Sequence, residues 1–241
     1  RYGGAFERTF ETKVAGVRLK APMLHIETVA AGGGSILRFE TGRLTAGPES
    51  AGANPGPACY GKGGPATVTD ANLILGYLNS DGLVGGRLPL DREKAYNAIK
   101  QKLADPLGIT VEKAAYGMFT IVNNNMVNGI RRVSVERGYD PRDFVLMGAG
   151  GATGAHITAL AREIGTRKVL VSKLASGLCA YGQIISDVKY NYMSPAPMRL
   201  EGAETAKKLN DLFEGLEARG IADLKSDDFG EDRISIRRSL D

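Results

Sequence analysis

Phe144-Val145-Leu146-Met147-Gly148-Ala149-Gly150-Gly151-Ala152-Thr153-Gly154 is the stretch that decides the fold class. Four apolar residues in an unbroken run read as a buried strand of a parallel sheet, and they open directly into a glycine turn. Ala155 to Ile164 then carries a helical pattern, and Lys168 to Ser172 supplies a second β-type run. Strand, glycine turn, helix and strand in that order make a βαβ unit, which requires a parallel sheet with helices on its faces. The class is α/β.

Toward the N-terminus, Thr110 is placed to cap a long helix. Its Ala115, Met118, Val122, Met126, Ile130 and Val133 recur at spacings of three and four, one apolar stripe running to Gly138. Asp91 caps a shorter helix from Arg92 to Leu103, which Asp105-Pro106 is expected to end. Ser35 to Phe39 and Arg43 to Thr45 flank Thr41-Gly42 as a hairpin. Val14 to Leu19 and Met23 to Val29 are further β-type runs, the second emptying into Gly32-Gly33-Gly34-Ser35.

From Gly47 to Pro65, ten of nineteen positions are Gly or Pro, so neither helix nor central strand is expected there. Interleaved Pro, Cys and Tyr make it a packed irregular loop rather than a linker, and Thr69 or Asp70 then caps a helix. Beyond the βαβ unit, Gly177 to Ile185 reads as a helix leading to Val188 to Met193. Ala203 to Arg219 reads as an amphipathic helix ending at Gly220, and Arg233 to Leu240 as a strand.

Composition narrows the function classes. The chain has 241 residues, 43% of them hydrophobic, which is ample for a core and excludes disorder. No run of about 18 uncharged apolar residues is present, so no membrane span is expected. The net charge of +4 comes from scattered residues and does not call for nucleic acid. Cys59 and Cys179 stand far apart, without ligand spacing, which argues against a disulfide scaffold or structural zinc and for a reducing, cytoplasmic setting.

The chemistry centres on the two glycine turns, each of which lets backbone N–H groups approach a phosphate without Cβ interference. Gly32, Gly33, Gly34 and Ser35 form the first, and Gly148, Gly150, Gly151 and Thr153 the second. The second misses the dinucleotide fingerprint, because Thr153 stands where the third glycine belongs, and Val169-Leu170-Val171-Ser172 occupies the place of the acidic ribose ligand. No GxxxxGK[ST] sequence occurs. Two such turns in one α/β chain suit the actin-like ATPases, in which strand–turn elements grip a nucleotide across a cleft.

His25 and Glu27 alternate on the expected strand into the first turn and are candidates for general acid/base work. Asn123-Asn124-Asn125 with Asn128, and His156 after the second turn, fit either ligand contacts or structural hydrogen bonds. Arg131, Arg132, Glu136 and Arg137 read as a polar surface of ion pairs or subunit contacts. Asp70 and Asp187 suit a metal-side role or a helix terminus, and no metal ligand set is assigned. Cys59 reads as a buried structural cysteine.

Longer strings are more specific. Thr28-Val-Ala-Ala-Gly-Gly-Gly-Ser35, Gly47-Pro-Glu-Ser-Ala-Gly-Ala-Asn-Pro-Gly-Pro-Ala-Cys-Tyr-Gly61, Thr67-Val-Thr-Asp-Ala-Asn-Leu73, and Val133-Ser-Val-Glu-Arg-Gly138 followed by Asp140-Pro-Arg-Asp-Phe144 closely resemble the hydantoinase A/5-oxoprolinase family. The resemblance covers residues 1–193, with 194–241 starting a following C-terminal segment. It implies a partial actin-like (acetate and sugar kinase, Hsp70, actin) fold, and ATP with Mg²⁺ as cofactors. It also implies a hydantoinase B-type partner subunit in a hetero-oligomer.

The implied chemistry is activation of a carbonyl by phosphorylation, most simply to open a cyclic amide of the hydantoin or 5-oxoproline type. Carboxylation of a ketone such as acetone or acetophenone is the alternative, and a non-catalytic assembly module is a third reading. By the resemblance, Gly32 to Ser35 lie on the phosphates, and Gly148, Gly150, Gly151 and Thr153 at the adenosine end or its neighbouring phosphates. The family's DxGGT-type phosphate motif is expected just before residue 1, so the chain reads as an internal part of a larger subunit. Glu27 departs from the His or Asn usual in relatives.

Overall fold

A computed structural model describes residues 8–9, 11–14, 17–20, 23–24, 26–199 and 201–240. The chain divides into two compact units, one of Arg1–His25 with Ser186–Asp241 and one of Ile26–Ile185.

In the first unit, β1 (Arg8–Thr9) pairs antiparallel with β4 (Met23–Leu24), and β2 (Thr12–Val14) with β3 (Val17–Leu19). In the second unit, β5 (Ser35–Glu40) and β6 (Arg43–Ser50) form the expected hairpin. Thr41 and Gly42 at its tip both adopt positive φ, 50° and 78°, the twist that a two-residue hairpin connection needs. β6 runs four residues into the Gly/Pro stretch, to Ser50, beyond the expected end at Thr45, as one strand of a two-stranded sheet rather than a central strand. It has β5 as its sheet partner, so the missing N–H of Pro48 breaks no ladder on a second side.

α1 (Val68–Ile74) starts at Thr67, two or three residues ahead of the expected caps. Asp70 sits inside the first turn instead. Its fully buried carboxylate accepts from Thr67 N (2.7 Å), Thr67 Oγ1 (2.9 Å), Cys59 N (2.7 Å) and Ala58 N (3.2 Å). The last two donors belong to a 3₁₀ turn at Ala58–Tyr60, so one side chain fastens the irregular loop to the helix.

α2 (Arg92–Ile99) begins, as expected, with Asp91 accepting from Lys94 N at 3.0 Å. Pro106 does not end it. A π-helical turn at Lys100–Ala104 leads into α3 (Asp105–Leu107), and left-handed Gly108 stops the chain. Pro106 lies in the first turn of α3, where a missing N–H interrupts no intrahelical bond.

α4 (Val111–Val133) is capped by Thr110, whose Oγ1 accepts from Lys113 N. Its stripe behaves as its spacing demands: Ala115, Met118 and Val122 are fully buried, whereas Val133 at the end is 38% exposed. The α-helix stops there, and Val135–Arg137 continue as a 3₁₀ turn closed by left-handed Gly138. The larger core gathers Leu37, Ala71, Leu73, Ala95, Ile99 and Leu103 around the N-terminal part of α4. A smaller one packs Leu160 and Ile164 on Val127, with Met126, Ile130 and Leu146 alongside.

The βαβ unit stands. β7 (Val145–Gly148), α5 (Ile157–Ile164) and β8 (Lys168–Val171) follow in order, and β7 pairs with β8 in parallel, Val145 opposite Lys168. The pair is not buried on both faces as its apolar run suggests: Val145, Met147 and Leu170 are about half exposed. α6 (Leu178–Ile184) closes this unit.

In the other unit, α7 (Gly202–Ser226) runs six residues past Gly220, over which the Tyr192 ring packs. Neither 188–193 nor 234–240 forms a strand. Arg238 instead reaches α7, paired with Glu217 and stacked 5.2 Å over the Phe213 ring.

Asp70→Ala removes the acceptor of the buried Thr67 and Cys59 N–H groups, Ala58 N–H keeping the Pro65 carbonyl, and is expected to cost about 3–5 kcal/mol of folding free energy in urea denaturation. Asp70→Asn, which keeps one acceptor oxygen, should cost less.

Candidate functional site

Of the run expected as a strand from Met23 to Val29, β4 takes Met23–Leu24, and residues 26–31, which lead into the first turn, form no strand and include left-handed Ala30 (φ 46°). Val29 packs on α4 at Gly129, where a Cβ would come within 2.4 Å of a Val29 methyl. Glu27, on the same segment, is held by Arg132 at 3.0 Å. The partner of Glu27 is thus an exposed cation near the end of α4. His25 lies outside the described residues.

Ser35 closes the turn on itself: its N–H donates to the Gly32 carbonyl (3.1 Å), and its Oγ accepts from Gly32 N (3.0 Å). The Gly33 carbonyl accepts from both Thr69 N and Thr69 Oγ1, each at 2.9 Å, which pins the turn to the first residues of α1. A Cβ on Gly33 would come within 2.7 Å of Thr69 Oγ1, and one on Gly34 within 2.6 Å of Ser50 Oγ.

In the second turn, left-handed Gly150 (φ 95°) donates its N–H to the Ala175 carbonyl at 2.7 Å. The Thr153 hydroxyl donates back to the Ala149 carbonyl. A Cβ on Gly148 would strike the Ile157 and Thr153 methyl groups.

The two turns meet. A Cβ on Gly33 would lie 3.9 Å from the methyl group of Ala152. Around this contact, Gly32, Gly151 and Gly154 have nothing within 4 Å of where a Cβ would stand, and none of the three is left-handed. The N–H groups of Gly33, Gly34 and Gly151 have no acceptor among the described residues. Unpaired amides beside open glycines are what an anionic ligand needs: donors, and room for its oxygens to reach them.

Behind the turns lies a buried polar group. His156 is 1% exposed and stacks on the Phe119 ring with centroids 5.1 Å apart. Its Nδ1 is 2.8 Å from Asn123 Oδ1, and its Nε2 is 3.1 Å from Asn72 Nδ2. With the amides so oriented, Nδ1 carries the proton and Nε2 accepts. Burial pushes the imidazole pKa down, so the ring stays neutral. Asn72 Oδ1 is buried without a donor, a cost of about 1–3 kcal/mol.

Sequence reasoning left His156 between ligand contact and structural hydrogen bonding, named Thr69 only as a helix cap, and gave Asn72 no role. A signal existed. Asn123 lies four residues beyond Phe119, which lies four beyond Ala115, so its amide shares the buried side of α4. Of the other candidates, Asp70 spends its carboxylate on protein donors and Cys59 is fully buried. Burial, with Asp70 beside it, pushes the Cys59 thiol well above its ordinary range. Asp187 belongs to the other unit. Among the described residues no cluster of three or more His, Cys, Asp or Glu side chains could hold a metal, and no helix is long and apolar enough to cross a membrane.

Two glycine turns are brought into contact on an α/β frame, and solved structures carry the same frame. The chain is 53% identical to the ATP-dependent caprolactamase of Pseudomonas jessenii, with a TM-score of 0.72 over 93% of this chain and 33% of that one. It also matches nucleotide-free acetone carboxylase, at 30% identity and a TM-score of 0.85, over 96% of this chain and 34% of that one. The actin-like ATPase-type fold expected from the sequence accords with both.

The chain belongs to the hydantoinase/oxoprolinase family, whose model matches residues 1–192. Among its relatives, the caprolactamase subunit alpha of Pseudomonas jessenii is 55% identical over 93% of this chain and 33% of its own length. The 5-oxoprolinase of Saccharomyces cerevisiae is 36% identical over 100% of this chain and 20% of its own. The chain thus spans a third or less of these relatives.

The open and closed glycines separate by substitution. Gly33→Ala must displace the Thr69 hydroxyl that holds the Gly33 carbonyl, and is expected to lower stability by about 1–2 kcal/mol, whereas Gly32→Ala meets nothing and should leave stability unchanged or raise it by up to about 1 kcal/mol. Thermal denaturation reads both.

Proposed function

We propose that this chain is the nucleotide-binding part of an ATP-dependent enzyme that opens a cyclic amide. The observation that carries the reading is the contact between the two glycine turns, with Gly32 and Gly151 open and the amides of Gly33, Gly34 and Gly151 unspent. Those amides hold phosphate oxygens, and Ser35, which ties its own turn shut, keeps the first set aligned. ATP supplies a phosphoryl group that, placed on the amide carbonyl oxygen, makes the carbonyl carbon electrophilic enough for water to add and the ring C–N bond to break, phosphate being released in the hydrolysis. Mg²⁺ rides on the phosphates in this reading, because Asp70, close to the turns through Thr69, is already committed to four donors.

His25 and Glu27 supply the acid/base group, with Arg132 steering the Glu27 carboxylate. The caprolactamase and 5-oxoprolinase relatives support a lactam-type substrate, and the name "subunit alpha" supports a partner subunit of the hydantoinase B type. Ketone carboxylation is the second reading, favoured by the higher TM-score to acetone carboxylase.

Phosphate release by the intact enzyme separates them. A cyclic amide such as caprolactam or 5-oxoproline should stimulate it at least tenfold, and acetone with bicarbonate should not; the reverse result makes the enzyme a carboxylase. Gly151→Val should fold normally yet raise the Kd for Mg·ATP at least tenfold, and unchanged binding would remove the second turn from the site. Glu27→Gln should lower kcat with little change in ATP affinity.

A further inference from the structure

The two glycine turns belong to separate sheets, so no shared ladder of hydrogen bonds fixes the gap between them. A continuous set of bonds through the protein interior does. On one side, the Gly33 carbonyl is held by Thr69 N and Oγ1, and Asn72 lies one turn further along the same helix. On the other, the second turn runs through Thr153–Ala155 into His156, whose N–H donates to the Thr153 carbonyl at 3.0 Å. The imidazole joins the two sides, 3.1 Å from the Asn72 amide, and anchors both to α4 through Asn123 at 2.8 Å.

We propose that His156 is a positioning residue that sets the spacing of the two glycine turns, and with it the fit of a ligand that touches both. The proposal rests on the nucleotide reading given above.

Three features favour positioning over direct contact or plain packing. First, His156 is 1% exposed and has both ring nitrogens occupied by protein, so it has no free group for a ligand. Second, each nitrogen has a different job, one donating and one accepting, so the ring is held in one orientation and Asn72 and Asn123 at a fixed separation. Third, Asn72 keeps this bond although its own Oδ1 goes without a donor. Apolar residues at 72, 123 and 156 together would leave nothing unsatisfied, so the linked polar set serves to fix register rather than to improve packing.

A spacing role has a signature that a general structural role lacks. Loss of the bridge should weaken a ligand that spans both turns and spare ligands that engage one. In the full chain, His156→Phe keeps the ring and its stacking on Phe119 while deleting both hydrogen bonds. It is expected to raise the Kd for Mg·ATP at least tenfold, with the Kd values for adenosine and for pyrophosphate each within twofold of wild type. His156→Gln, which offers a donor and an acceptor from one amide, should recover most of the loss.

Should the phenylalanine variant fail to fold by thermal denaturation, Asn72→Ser breaks the same link from the α1 side and gives the same readout. A folded variant that binds ATP within twofold of wild type overturns the proposal. So does equal loss of all three ligands, the mark of general damage. An intact wild-type enzyme that binds no ATP overturns the nucleotide reading itself, and the spacing role with it.

Discussion

Helix α4 has to be apolar along one face for all of its 23 residues, about 35 Å, because two separate cores form on it. Its N-terminal part receives α1 and α2, and its C-terminal part receives α5 and Leu146 of the parallel pair. Gly129 adds a third constraint by leaving room for Val29, so the segment that leads into the first turn docks on the helix that carries the second. The meeting of the two turns is a consequence. Neither pairs with the other in a sheet, and each is placed by what it packs on α4.

That dependence explains which features were legible in the sequence. The α4 stripe and the βαβ unit were, because periodicity of 3.6 and an apolar run into glycines are local properties that burial enforces locally. The segments 26–31 and 234–240 alternate like strands and are not, because alternation states which side faces inward and says nothing about whether a partner edge exists. Arg238 shows the alternative, a chain laid along a helix and held by an ion pair and a ring. Pro106 misled for a related reason: proline forbids a bond in a helix interior, and here it stands in the first turn of α3, where that bond is not made.

The buried polar groups were the least legible part, and they do the most to fix the site. Asp70 joins residues eleven and twelve positions away, while His156 joins residues 33 and 84 positions away. No local pattern encodes such pairings. What the sequence does show is a polar residue at a core position: Asp70 and Asn72 in the apolar helix from Val68, and Asn123 in line with Ala115 and Phe119. A polar side chain at core spacing must find a partner or carry an unmet bond, so each is a pointer to a long-range contact. Applied to this chain, that rule picks out the three residues that fasten the loop and the two turns.

The glycines themselves divide along the same line. Gly33, Gly34 and Gly148 are glycine because the fold leaves no room for a Cβ, and Gly150 because its backbone is left-handed. A protein that used these turns only as connections would need those four just as much. Gly32, Gly151 and Gly154 have open space and ordinary backbone angles, so the fold does not ask for them. Glycine in a position that any small residue would fill costs unfolded-state entropy for no structural return, roughly 0.4–1 kcal/mol each. Three such positions around one contact, beside amides with no partner among the described residues, argue that the space is kept clear for something outside the chain. The weight of a binding role over an assembly role therefore falls on these three rather than on glycine content as such.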